Sequence, residues 1–146
     1  MRNRIEVLHG VNLDTLGRRD PEHYGTITLP ELELSIKRFA AELELEVRFF
    51  QSNHEGEFVD YLHRLPDLAD AAVLNAGAWT HYSLALYDAC AQLTAPLVEV
   101  HISDPSQRPE EFRHTSVVTP HAIEVITGQG IDGYRLALER IAAEIQ

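Results

Sequence analysis

An arginine and a tyrosine share a short, glycine-bounded stretch near the start of the chain. Arg19 and Tyr24 are five positions apart, between Gly17 and Gly25. A tyrosine is a poor base at neutral pH because its usual pKa is about 10, but a neighbouring guanidinium stabilises the phenolate. A loop of this kind can fold over a ligand and exclude water. The stretch predicts a general base; the alternative is that Tyr24 only anchors the loop.

A glutamate and a histidine alternate at the end of an apolar run. Glu99 and His101 are two positions apart, so in a strand their side chains lie on the same face. Histidine exchanges a proton near neutral pH, and one positioned proton transfer is worth roughly 10²–10⁴ in rate. The pair predicts a general acid. The alternative is that His101 is a core histidine with satisfied hydrogen bonds.

Other polar residues follow the predicted strands. Asn12, Asn75, His81, Ser103 and Arg113 all come after an apolar run. Asn12 and Asn75 have an alternative role as turn residues that bond their own backbone, and Arg113 has one as a surface residue. These side chains can lie close together only in a fold that brings several strand ends to one edge of a sheet.

Strands and helices alternate along the sequence and predict that fold. We expect a doubly wound, five-stranded parallel sheet in a three-layer α/β sandwich, with the flavodoxin-like strand order natural at this length. Ligands bind at the carboxyl ends of the strands in such folds. The predicted strands are Ile5–His9, Glu46–Gln51, Ala71–Asn75, Pro96–His101 and Ala122–Thr127. The predicted helices begin at Thr28 with Glu31 as a capping-box partner, at Ser52 with Glu55 (to about Leu65), at Thr80 (through Leu93) and at Ile131 (to Ile145).

Length and charge restrict the possible partners. The 146 residues, 45% apolar and 24% charged, predict a single catalytic domain over 1–146. Lys and Arg total 12 against 23 Asp and Glu, a net charge of -11, which argues against nucleic acid or a membrane surface as a partner. A small anionic substrate remains compatible with a few arginines in one cleft. No apolar run is long enough for a signal peptide or membrane span, so we expect a cytoplasmic location.

Metal and cofactor signals are weak. None of the eight histidines lies in a His-Glu-x-x-His motif, and Cys90, the only cysteine, falls in a predicted helix. A metal site built from scattered loops stays an alternative. Residues 128–133 match the dinucleotide fingerprint Gly-x-Gly-x-x-Gly, but no later strand supplies the ribose-binding acid. We expect a turn there that lets the last helix pack closely.

Several segments together resemble the signatures of one family. They are HGVNL (9–13), LGRRDPEHYG (16–25), QSNHEGE (51–57), NAGAWTH (75–81), EVHIS (99–103), EFRH (111–114) and GYRLAL (133–138). In this order and spacing they resemble type II 3-dehydroquinate dehydratases, and the resemblance covers nearly the whole chain.

The resemblance implies a reaction and a set of roles. Water would be eliminated in trans from 3-dehydroquinate, through an enolate, to give 3-dehydroshikimate, with no metal or cofactor, in the shikimate pathway or in quinate catabolism. It implies Tyr24 as base, Arg19 as stabiliser of the phenolate, His101 as acid beside Glu99, and Asn12 as holder of a water and of the enolate. It further implies a substrate-binding set of Asn75, His81, Asp88, Ile102, Ser103 and Arg113, with Asp88 reaching a neighbouring subunit in a dodecamer built as a tetramer of trimers.

The chain departs from that family's pattern between His101 and Arg113. Asp104 stands where an asparagine is usual, and the stretch is one residue longer. We expect the Asp104 carboxylate to oppose an anionic substrate. The altered stretch supports a second hypothesis, a binding or regulatory module on the same fold. The histidine count supports a third, a metal-assisted hydrolase.

Overall fold

A computed structural model describes residues 2–146 as alternating strands and helices. The strands are β1 Arg4–His9, β2 Glu46–Gln51, β3 Ala71–Asn75, β4 Leu97–His101 and β5 Glu124–Thr127. The helices are α1 Pro21–Tyr24, α2 Leu29–Glu42, α3 Glu55–Leu68, α4 Leu84–Ala91 and α5 Asp132–Ile145. Short 3-10 turns connect several of them. None of the helices within residues 2–146 combines the length and the apolar content needed to cross a bilayer.

The five strands form one parallel sheet in the order β2-β1-β3-β4-β5. This is the predicted flavodoxin-like architecture. Every residue of β3 and β4 is buried, as expected for central strands covered by helices on both faces. From β1 the chain continues to β2 on one side, whereas from β3 it continues to β4 on the other side. A crevice therefore opens at the carboxyl ends of β1 and β3.

Two apolar layers sandwich the sheet. On one face, α2 and α5 bury Ile36 and Leu138 against β1, β3 and β4. On the other face, α3 and α4 bury Leu62 and Leu86. Each fully buried side chain of this size contributes about 1.5–3 kcal/mol relative to exposure. The two layers hold the strands in register and so fix where each strand ends.

The predicted start of α2 is confirmed. Thr28 Oγ1 accepts a hydrogen bond from the Glu31 backbone N–H at 3.4 Å, and Glu31 Oε1 accepts one from the Thr28 N–H at 3.1 Å. This capping box satisfies amide groups that have no partner inside the helix. It also draws the Glu31 pKa below its ordinary value, through the hydrogen bonds from Thr28.

The predicted capping box at α3 is wrong. The residue at the cap position is His54, and no side chain caps this helix. Ser52 instead accepts a hydrogen bond from the His54 N–H at 2.9 Å and donates to Glu57 at 3.2 Å. The helix also continues past Leu65 to Leu68, because Pro66 lies within its last turn rather than ending it.

Thr80 does not cap α4, contrary to the prediction. Ser83 does, by accepting a hydrogen bond from the Leu86 N–H at 3.0 Å. Thr80 lies in a preceding 3-10 turn, and its hydroxyl bonds to the Glu99 carboxylate at 3.0 Å. The Thr80 hydroxyl, which the local sequence pattern assigned to the start of α4, is therefore bound by the buried Glu99 carboxylate instead.

The glycine-rich segment 128–133 forms the turn that the sequence predicts. Gly133 opens α5 close to the sheet, where an added Cβ would lie 3.4 Å from side-chain carbons of both Val100 and Ile126. The preceding strand, β5, is two residues shorter than predicted, since it begins at Glu124 rather than at Ala122.

Candidate active site

A cavity of about 160 Å³ opens at the carboxyl edge of β1, β3 and β4. Its walls come from the loop after β1, the turn after β3 and the segment after β4. The residues around it are Asn12, Leu13, Arg19, Tyr24, Asn75, Gly77, Ala78, His81, His101, Ile102, Ser103, Pro105, Arg108 and Arg113. Three of these are arginines, so the cavity is locally cationic in a chain of net charge -11.

Two guanidinium groups hold the Tyr24 hydroxyl. Arg19 Nη2 donates to it at 3.1 Å and Arg108 Nη1 donates at 3.2 Å. The Arg19 guanidinium carbon also lies 4.0 Å from the centre of the Tyr24 ring. Charge-assisted hydrogen bonds of this kind favour the ionised form of an acceptor oxygen. The arrangement can stabilise a phenolate inside the cavity.

The one-turn helix α1 presents Tyr24. Asp20 starts it by accepting a hydrogen bond from the Glu22 N–H at 3.1 Å, and Gly25 ends it with φ of 68°. A left-handed φ is accessible to glycine at little cost. The chain can therefore turn sharply after Tyr24 and return the ring toward the cavity. The sequence predicted a loop here and missed the helix.

Glu99 lies behind His101 and is completely buried. Its carboxylate accepts hydrogen bonds from His101 Nε2 at 2.5 Å, Ser116 Oγ at 2.7 Å and Thr119 Oγ1 at 2.6 Å, besides the Thr80 hydroxyl. Burial by itself raises the pKa of Glu99, but these donors outweigh it and hold the pKa below its ordinary value. The ionised Glu99 carboxylate therefore accepts a hydrogen bond from Nε2–H of His101. The other ring nitrogen, Nδ1, is not bonded to Glu99.

Asn75 combines the two roles that the sequence left open. Its Oδ1 accepts a hydrogen bond from the Gly77 N–H at 3.1 Å, so it is a turn residue, and it also lines the cavity. Its amide nitrogen donates to the Tyr134 hydroxyl at 3.4 Å. Burial raises the pKa of Tyr134 to about 12. Tyr134 therefore stays neutral, and its hydroxyl holds the Asn75 amide in place by this hydrogen bond.

A hydrogen bond to the backbone assigns the tautomer of His81, and a lowered pKa favours its neutral form. Its Nδ1 lies 2.8 Å from the Thr115 carbonyl, which only accepts, so Nδ1 carries the proton. Burial lowers the pKa of His81, and the nearby His101 and Arg113 lower it further. Its Nε2 is then an acceptor that suits a substrate hydroxyl.

The stretch after β4 brings Arg108 and Arg113 to the cavity. Asp104 caps a 3-10 turn at Pro105–Gln107, where its carboxylate accepts from the Ser106 N–H at 3.0 Å. His114 Nε2 donates to the Arg108 carbonyl at 2.7 Å. The Asp104 carboxylate also accepts from the Ser106 hydroxyl, and Asp104 is outside this cavity's lining. Its opposition to an anionic substrate stays a prediction.

Most residues predicted from the sequence come together in this cavity. Nine of them line it: Asn12, Arg19, Tyr24, Asn75, His81, His101, Ile102, Ser103 and Arg113. Glu99 supports His101 from behind. Asp88 does not join them within this chain; it lies exposed on α4. Sequence reasoning missed Arg108, and its position in the altered stretch was the only signal for it.

Among residues 2–146, one group of side chains could bind a metal, and none of its members lines this cavity. Ligand atoms of Asp20, Glu22 and His23 fall within 4.8 Å of one another at the start of α1. Asp20 is already the cap of that helix, and none of the three lines the cavity. Cys90 is a core residue, as predicted: it is buried, and burial raises the pKa of its thiol to about 12.

Fold and site together define a flavodoxin-like α/β enzyme whose cavity lies at the carboxyl edge of a parallel sheet. The family model described as Dehydroquinase class II matches residues 3–142. The chain belongs to that family, and it is a hydro-lyase.

Curated and solved relatives agree with this assignment. The 3-dehydroquinate dehydratase of Salinispora arenicola is 54% identical over 140 residues, which is 96% of this chain and 97% of the relative. That of Bacillus licheniformis is 51% identical over 134 residues, 92% of each chain. The crystal structure of a type II dehydroquinase from Propionibacterium acnes superposes with a TM-score of 0.91, at 43% identity over 98% of each chain.

Proposed function

We propose that this protein removes water from 3-dehydroquinate through an enolate, with its own side chains as base and acid. Membership of the family supports the substrate. The observation that carries the mechanism is the Tyr24 hydroxyl held by two guanidinium groups in the cavity that His101 also lines. Residues 1–146 would act as one catalytic domain.

Proton abstraction is the first step. Tyr24, as phenolate, takes a proton from the carbon next to the ketone, and the electron pair of that C–H bond moves into the enolate. Arg19 and Arg108 stabilise the phenolate before the transfer. Asn12 holds a water that donates to the enolate oxygen, since developing charge needs a donor aimed at it.

Loss of hydroxide completes the reaction. The enolate re-forms the ketone, its electrons form the carbon–carbon double bond, and the bond to the β-hydroxyl breaks. His101 gives its proton to the departing oxygen, which leaves as water, and Glu99 keeps the imidazole oriented. The enzyme resets when the proton on Tyr24 is returned to His101 through solvent.

The remaining cavity residues bind the substrate. Arg113 and Ser103 suit its carboxylate, and His81 and Asn75 suit its hydroxyls. Ile102 would contact the ring. The base and acid come from the chain, so we expect no requirement for a metal or cofactor, in biosynthesis or in catabolism of quinate alike.

Assembly is a separate part of the proposal. We propose a dodecamer in which Asp88 reaches the cavity of a neighbouring subunit, since α4 displays this carboxylate on the surface. Mass measurement in solution tests it: a twelve-chain species is expected, and a monomer that turns over at full rate would contradict it. A cytoplasmic location stays a prediction.

An absorbance assay tests the activity. The product is a conjugated enone, so near-ultraviolet absorbance should rise when 3-dehydroquinate is added, at the same rate with and without a chelator. No rise at high enzyme concentration would overturn the proposal, and a rate lost to the chelator would contradict a metal-free mechanism. A protein that binds 3-dehydroquinate in calorimetry without converting it would be the binding module. The contact of Arg108, from the altered stretch, with Tyr24 argues against that module.

A further inference from the structure

We propose that Asn53, which lies outside the cavity, is a positioning residue for Asn12. The inference rests on the proposed function, because it concerns the group that would hold the water at the enolate. Asn53 follows β2, whereas Asn12 follows β1 and lines the cavity. Asn53 therefore acts on the reaction through another residue.

Asn12 has a strained backbone that needs support. Its φ is 68° and its ψ is 2°, in the left-handed region. Asparagine tolerates this region better than most residues, but the conformation still has a cost. Such residues stay in place only where the surroundings hold them. The position of the Asn12 side chain in the cavity depends directly on this backbone conformation.

Asn53 supplies the support from one side. Its Oδ1 accepts a hydrogen bond from the Asn12 backbone N–H at 2.8 Å, and its Nδ2 donates to the Asp14 carboxylate at 3.1 Å. Gln51 Nε2 donates both to Asn53 Oδ1 and to the Gly10 carbonyl, each at 3.2 Å. The Asn53 amide thus links the strained residue to Asp14, and Gln51 links the same amide to Gly10.

The turn after β3 closes the other side. A Cβ on Gly10 would lie 2.2 Å from the Ala76 carbonyl oxygen, and a Cβ on Gly77 would lie 2.5 Å from the Val11 carbonyl oxygen. The two backbones are therefore in direct contact. Residues 10–12 therefore lie between this backbone and the side chains of Gln51 and Asn53, and Thr15 Oγ1 donates to the Asn12 carbonyl at 2.8 Å. Removal of the Asn53 amide takes away the acceptor of the Asn12 N–H.

The first test removes the support. Asn53→Ala is expected to speed deuterium exchange of the Asn12 amide by roughly fivefold or more. It should lower kcat on 3-dehydroquinate by about 10-fold to 10²-fold, with little change in KM, because a misplaced donor affects the transition state more than binding. The matched control is Asn3→Ala. Asn3 Nδ2 donates to the carbonyl of Glu44, another left-handed residue, at the opposite end of the sheet, and kcat should not change.

The second test exchanges donor and acceptor. Asn53→Asp still accepts from the Asn12 N–H but places a carboxylate against Asp14, so it should be impaired. Asp14→Asn added to Asn53→Asp restores a donor opposite the new carboxylate with the same net charge. The double variant should recover both the slow exchange and the kcat. Recovery of kcat in step with recovery of slow exchange at the Asn12 amide would link turnover to the position of Asn12.

The outcomes are distinguishable. Slow exchange of the Asn12 amide in Asn53→Ala, or fast exchange with unchanged kcat, would overturn the positioning role. If the wild-type protein does not convert 3-dehydroquinate, the proposed function fails, and the exchange measurements alone decide whether Asn53 holds Asn12. Faster exchange and lower kcat together, both reversed in the double variant, support the inference.

Discussion

A single oxygen, the Tyr24 hydroxyl, carries the proposed chemistry at the scale of residues. Arg19 is close to it in the chain, and its contact could be predicted from spacing and residue type. Arg108 is 84 positions away from Tyr24, and no local pattern links the two. Such a contact depends on how the segment after β4 folds back. The sequence alone therefore predicted one of the two guanidinium groups that bind the Tyr24 hydroxyl.

Loss of one guanidinium should weaken the base. Arg19→Gln is expected to lower kcat by roughly 10-fold or more, because the phenolate loses a charge-assisted hydrogen bond. Arg18→Gln is the matched control. It removes the same charge from a neighbouring residue that is exposed and lies outside the cavity. Equal effects of the two substitutions would show that only general charge matters.

Strands were predicted more accurately than helix caps at the scale of elements. The bounds of β2 and β3 were predicted correctly. The alternating pattern of β2 and the fully buried apolar run of β3 are both strong local signals. The caps at Ser52 and Thr80 were wrong because hydroxyls have several competing acceptors once the chain is folded. Thr80 bonds to Glu99, which is distant in sequence and needs every donor it can reach.

The capping box of α2 gives a prediction for stability. Thr28→Ala should lower the free energy of unfolding by about 1 kcal/mol, since the Glu31 N–H loses its side-chain acceptor. Thr28→Ser keeps the hydroxyl and should lose much less. Urea unfolding of the three proteins measures the difference, and a Thr28→Ala protein as stable as the wild type would contradict a stabilising role for the box.

Charge is distributed unevenly at the scale of the whole molecule. The net charge of -11 coexists with three arginines around one cavity. The net charge argues against large anionic partners, whereas the three arginines are compatible with a small anionic substrate, and the fold determines where these positive charges meet.

Stability should fall in acid. The pKa values of Glu99 and Asp70 are both below their ordinary values of 4.5 and 3.8, for Asp70 chiefly because the Arg4 backbone N–H donates to its carboxylate. The unfolded chain therefore binds protons first, and the free energy of unfolding decreases as pH falls below about 4.5. His81, also lowered, adds a loss in the same direction below its ordinary value of 6.5.

Glu99→Gln isolates the contribution of one group to that loss. The variant lacks the carboxylate that titrates, so its free energy of unfolding should depend less steeply on pH below about 4.5 than that of the wild type. Urea unfolding across this pH range makes the comparison. Identical slopes for the two proteins would mean that Glu99 contributes nothing to acid sensitivity.

Turnover by Tyr24→Phe tests the central claim most directly. The substitution removes only the oxygen that Arg19 and Arg108 bind and leaves the ring in the cavity. Enone absorbance should then rise at least about 10²-fold more slowly than with the wild type, while calorimetry still detects binding of 3-dehydroquinate. Turnover near the wild-type rate would contradict the assignment of this phenolic oxygen as the base.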